Sequence, residues 1–219
     1  MKNILTIVLL LVAGTGLFAA KGIVVTQKYT DPHQKGASIT VTWYVTETQC
    51  KMQMRYADDK MNTTSYFIPD VTNSRLLTYS DGMAPGSPQK TYYTIPVQNI
   101  KGDNEFGHVT VTPTGEIKTL SGMLCEKVIV KTYTSTTEMW ITKDFKADFY
   151  KFSSYFQSSF ELMGLDEKGM QGVPLESVTK DNAGTIINSY QLVSATSADL
   201  NATDFTVPAD YKLTGSTGK

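Results

Sequence analysis

Residues that carry chemistry are scarce in this chain. It has only two histidines, His33 and His108, and two cysteines, Cys50 and Cys125, in 219 residues, and none of them falls into an H-E-x-x-H or C-x-x-C spacing. A metal centre needs several convergent donors at such spacings, so the sequence offers none. No G-x-S-x-G elbow accompanies either histidine, and no Gly-rich strand-to-helix loop is present to cradle a phosphate. A Ser-His-acid site can assemble in space from distant residues. Yet His33 sits in a turn-like stretch and His108 at the start of a strand, and both read as exposed or hydrogen-bonded side chains. The dense carboxylates, Asp58-Asp59, Asp103 with Glu105, and Asp166-Glu167, also lie in turn-like stretches where solvated acids are expected. The expectation is a protein that is not an enzyme and uses no cofactor.

Charge of one sign is missing too. The 20 Lys and Arg balance 21 Asp and Glu, charged residues make up only 19% of the chain, and no basic patch marks a nucleic-acid reader. Nor is there a long apolar run: Ile4 to Val12 is interrupted by Ala13-Gly14-Thr15-Gly16, short of the roughly 20 residues a spanning helix needs. The start instead has the parts of a secretory signal peptide, with the positive Met1-Lys2-Asn3, the apolar run, and small residues from Gly14 to Ala20 for cleavage. No cysteine closely follows the run, so N-terminal lipidation is excluded. The organisation expected is a signal peptide over 1–20, one domain over 21–212 and a disordered tail over 213–219. The mature protein is then periplasmic or otherwise exported, with no transmembrane span.

What is present is a succession of β patterns. Gly22 to Tyr29 and Ala37 to Thr46 are β-branched and alternating, and Cys50 to Tyr56 places Cys50, Met52, Met54 and Tyr56 on one face with Lys51, Gln53 and Arg55 on the other. Thr64 to Ile68, Arg75 to Tyr79, Thr91 to Val97, Gly107 to Thr112, Glu116 to Leu120, Met123 to Tyr133 and Glu138 to Thr142 continue the pattern, with Pro113-Thr114-Gly115 and Ser121-Gly122 as turns. Val173 to Thr179 and Thr185 to Ser194 flank Asp181-Asn182-Ala183-Gly184 as a hairpin. Short turns favour antiparallel pairing throughout. One segment reads as a helix: between Asp144 and Gly164, Phe145, Phe149, Phe152, Phe156, Phe160 and Met163 recur at steps of three and four.

The fold class is therefore mainly β (α+β), a curved antiparallel sheet or half-barrel with one principal helix at about 145–163 packed on its concave face. The candidate ligand-lining residues are Met52, Met54, Trp140, Phe149, Phe152, Phe156 and Phe160, because flexible methionines and aromatics can line an adaptable apolar cavity. Ordinary core packing explains the same residues. Cys50 and Cys125 can close a disulfide in an oxidising compartment or stay as two buried thiols, and the residues leave both open.

Five pieces in order carry a resemblance: Thr114 to Gly122 (TGEIKTLSG), Cys125-Glu126-Lys127, Trp140 to Asp144 (WITKD), Gly172 to Glu176 (GVPLE) and Phe205 to Lys212 (FTVPADYK). Together they resemble the exported family known as domain of unknown function 4412, whose pattern is similar to that of the LolA-like periplasmic lipoprotein carriers. That likeness implies a half-barrel around an apolar cavity closed by helices. It carries over no catalytic or binding residue, and fold alone does not settle function. Three readings follow. The first is an exported cell-envelope binding protein holding a lipid or other apolar ligand, and the second an envelope protein-interaction module using an exposed edge or the Pro85 to Pro88 loop. A hydrolase with a spatially assembled site comes third.

Overall fold

The strand patterns resolve into a single sheet. In the computed structural model, residues 19–34, 36–59, 61–81, 90–97, 109–145, 147, 149–156 and 170–216 are described. The strands are β1 (Ala20–Thr30), β2 (Ser38–Thr46), β3 (Cys50–Ala57), β4 (Asn62–Asp70), β5 (Arg75–Asp81) and β6 (Thr91–Pro96), then β7 (Thr110–Leu120), β8 (Met123–Lys131), β9 (Ser135–Thr142), β10 (Pro174–Asp181), β11 (Ile186–Leu200) and β12 (Lys212–Ser216). They form one open, curved sheet in the order β12-β6-β5-β4-β3-β2-β1-β11-β10-β9-β8-β7. Antiparallel neighbours in chain order build two runs, β1 to β6 and β7 to β11, with residues 143–173 connecting β9 to β10. The long β11 joins them by pairing antiparallel with β1 from Ala20↔Leu200 to Thr30↔Ser189.

Alternation then decides the faces. Ile23 and Val25 on β1, Val41, Trp43 and Val45 on β2, Val128 and Val130 on β8, and Met139 and Ile141 on β9 point inward and are buried in one core. Gly22 permits the tight join of β1, β2 and β11, since a Cβ there would come within 2.6 Å of the Val45 carbonyl oxygen.

The helix expected at 145–163 takes a different form. The described part is an eight-residue 3-10 helix, Phe149–Phe156, and residues 157–163, with Phe160, lie outside the described residues. Three residues per turn put Phe149, Phe152 and Tyr155 in line on one face, and all three are buried. Steps of three and four serve either helix type, and Phe and Tyr are weak α-helix formers. Packing on the sheet therefore sets the winding. Phe149 and Phe156 meet the Trp43 ring edge-on, with centroids 5.0 and 5.2 Å away.

Three further expectations are corrected. Pro113-Thr114-Gly115 is not a turn between two strands but a bulge inside β7, where the pairing with β8 shifts between Pro113 and Ile117. Thr114 Oγ1 donates to the Lys127 carbonyl at 3.1 Å across it, and Gly115 takes a positive φ of 77°. Residues 213–216, expected in a disordered tail, belong to β12, which pairs parallel with β6. The pairing is therefore not antiparallel throughout. The chain reaches β12 by crossing the convex face, where Tyr211 packs with Ile68 and Tyr79 in a second, smaller core.

Candidate functional site

Four hairpin turns, β1–β2, β3–β4, β8–β9 and β10–β11, share one end of the half-barrel, because Tyr29 pairs with Ile39, Ala57 with Asn62, Thr30 with Ser189 and Asp181 with Ser135. At that end the concave face opens into a cavity of about 330 Å³. This is the small end of the range for small-molecule sites, about 300–1,000 Å³. Ile39, Trp43, Met54, Met139, Phe149 and Pro174 give it apolar walls. Thr137, Ser177, Thr179 and Asn188, on β9, β10 and β11, run along one side as a polar ladder, and Gln27, Gln34, Tyr29 and Tyr190 complete the lining.

The floor is fixed by Gln27, which is only 3% exposed. Its amide donates to the Pro174 and Leu175 carbonyls at 3.1 and 2.9 Å, and its oxygen accepts the indole N–H of Trp43 at 3.0 Å. One side chain thus ties β1 to β2 and to β10 and sets the plane of the Trp43 ring. The Thr137 and Thr179 hydroxyls share a buried hydrogen bond at 3.0 Å. Tyr29 and Tyr190 lie against each other with ring centroids 5.0 Å apart. Burial, helped by the nearby Asp31 carboxylate, raises the Tyr29 hydroxyl above its ordinary pKa, so it stays protonated.

Toward the other end the returning chain makes a close backbone approach to the sheet. Gly172, at φ +113°, brings the returning chain so near β9 that a Cβ would lie 2.2 Å from the Thr142 carbonyl oxygen. Its N–H donates to the Ala147 carbonyl at 3.1 Å, so the segment bearing Phe149 leaves and re-enters the sheet at one point.

The model of the family described as Domain of unknown function (DUF4412) matches residues 22–211. The chain belongs to that family. No curated protein matches it. Among solved structures, an uncharacterized conserved protein from Thermus thermophilus is similar over 90% of this chain and 91% of its own, at 10% identity and a TM-score of 0.50. The complex structure of Pseudomonas aeruginosa MucA/MucB matches over 87% of this chain at 11% identity and a TM-score of 0.49. This chain spans 56% of the length of that one. The Thermus likeness is one of fold. The curved single sheet with its covered concave face agrees with the half-barrel that the LolA-like resemblance implied.

The DUF4412 motif pieces serve this frame. Gly172 to Glu176 supplies the pinned glycine and the carbonyls held by Gln27. The closing Phe205 to Lys212 piece straps the convex face: Phe205 and Tyr211 are buried, Tyr211 stacks edge-on against Tyr79 at 4.8 Å, and its hydroxyl donates to Asp81.

Of the sequence-predicted site residues, Met54 and Phe149 line the cavity. Met52, Phe152 and Phe156 pack in the main core behind it. Trp140 does not line it. It alternates with Met139 and points to the convex face, where the Lys118 ammonium sits 4.2 Å and the Lys127 ammonium 6.0 Å from its ring. Cys50 and Cys125 are free, buried thiols, on strands six places apart in the sheet order. Burial pushes both thiols up, that of Cys125 to about 11. Among the carboxylates, Asp58 accepts from Tyr56 and from the Met61 N–H at the β3–β4 turn. The Asp103–Glu105 and Asp166–Glu167 pairs, His108 and the Pro85 to Pro88 loop lie outside the described residues. Sequence reasoning missed the polar ladder and Gln27, since a Thr, Ser or Asn on a strand looks the same facing a cavity as facing water.

Proposed function

We propose that this is an exported cell-envelope binding protein that holds one apolar chain, or another small amphiphile, in the open end of its half-barrel. The observation that supports it is the cavity of about 330 Å³ walled by Trp43, Met54, Met139 and Phe149, with hydroxyl and amide groups along one side. Such a volume suits a single chain or compact ring and is too small for a whole two-chain lipid. Binding suits the described lining side chains, which are hydroxyls, amides, thioethers, aromatic rings and aliphatic carbon. Export rests on the signal-peptide pattern of the first twenty residues. Native mass spectrometry of the protein purified from the envelope, followed by organic extraction, tests the reading. A stoichiometric adduct of one small amphiphile is expected. A bare mass that stays bare after incubation with envelope lipid extract contradicts it.

One observation favours a second reading, binding of a protein partner along a sheet edge. β7 ends the sheet with eleven residues, and Ile117 on it and Leu124 beside it are exposed on one face. An extended segment could add there as a further strand. Pull-down from envelope extract with a Thr112→Pro variant as control distinguishes the two, because the substitution disturbs the edge and leaves the cavity intact.

A further inference from the structure

None of the described side chains lining the cavity carries a charge at neutral pH. Its polar groups are hydroxyls and amides, each both donor and acceptor. Gln27 is fully committed to Trp43 and β10, which leaves the ladder to meet a ligand. Thr137 and Thr179 are 2% and 4% exposed, and their mutual bond uses one of two hydroxyl protons. One O–H and several lone pairs remain for a guest. Asn188, opposite Thr179 on β11, and Ser177, two residues deeper along β10, carry the same mixed character.

From this ladder we infer that the cavity selects an uncharged head group. It takes a single-chain alcohol, amide or glycerol monoester and rejects the ionised fatty acid of equal length. This rests on the reading of the cavity as a ligand site. A hydroxyl or amide head both gives and receives hydrogen bonds, as the ladder does, so neither side is left unpaired. A carboxylate only accepts, and seated here it would be a desolvated anion without a cation among the described lining side chains, which is costly unless paired. Asp31, on the rim beside Tyr29, has the same sign and adds to the repulsion.

Trp43 reports on the site once the convex-face Trp140 is removed, so the test uses the full mature chain carrying Trp140→Phe. Its emission is titrated with 1-decanol, decanamide and sodium decanoate at pH 8. The neutral pair is expected to bind about tenfold or more tightly than decanoate. In Asn188→Lys, whose fold is checked by near-ultraviolet circular dichroism, decanoate should gain about tenfold relative to decanol. Decanoate binding as tightly as the neutral pair overturns the selectivity while the ligand site stands. Failure of all three to bind overturns the site itself and the selectivity with it.

Discussion

Replacing Gln27 by methionine keeps the side-chain length and removes every hydrogen bond that fixes the cavity floor. The residue is 3% exposed, and its three bonds run to the Pro174 and Leu175 carbonyls and from the Trp43 indole N–H, at 2.9–3.1 Å. Each such bond contributes about 0.5–1.5 kcal/mol net, and a donor left dry costs about 1–3 kcal/mol. The thioether recovers part of this as apolar burial, which leaves a net loss of about 2–3 kcal/mol. Urea unfolding followed by circular dichroism reads it as a lower midpoint at unchanged slope. Trp43 emission should change in the folded state, since the ring loses its anchor. A loss below about 0.5 kcal/mol with unaltered Trp43 emission refutes the assignment of Gln27 as the tie between β1, β2 and β10.

Gly172→Ala should destabilise by about 2–5 kcal/mol in the same assay, because a positive φ and a backbone clash coincide there; a neutral effect would show that the close approach to Thr142 is not needed. Cys50 and Cys125 are buried with raised thiol pKa values, so Ellman's reagent at pH 8 should label neither in the folded chain and both in guanidinium. Rapid labelling of the folded chain would contradict their burial. Burial alone would raise the Asp70 pKa, but hydrogen bonds from Asn73 and Arg75 outweigh it and hold the carboxyl below its ordinary 3.8. A depressed folded pKa means stability present above 3.8 and lost as pH falls through the lower folded value. Asp70→Asn should therefore be less stable than the parent at pH 6, with the gap narrowing below pH 3.8. A gap independent of pH would sink the ion-pair account.

The strands that pack one face against the core were readable from their period. Cys50, Met52, Met54 and Tyr56 alternate against Lys51, Gln53 and Arg55, and in β3 Cys50 sits in the main core with Met52, Met54 and Tyr56 packed against it. The hairpin at Asp181 to Gly184 was readable from its turn residues, and Gly184 does take a positive φ. The join of β11 to β1 was not readable, because pairing between strands about 170 residues apart depends on shape rather than on local period. β12 escaped notice because its polar residues gain order only by pairing with β6. Trp140 was misplaced for a different reason. A large aromatic suggests a core, yet here it is covered by lysine stems on the convex face, where Lys127 also bridges Glu116 and Glu138.

The central claim is that the open end of the half-barrel is a ligand site, and methionine-methyl NMR tests it most directly. Met54 and Met139 line the cavity, whereas Met61 is exposed on the β3–β4 turn and Met123 opens β8 at the far end. Addition of 1-decanol to protein labelled at the methionine methyls should shift Met54 and Met139, saturably and together, and leave Met61 and Met123 in place. Unmoved Met54 and Met139 signals, or shifts confined to the exposed methionine, would contradict it.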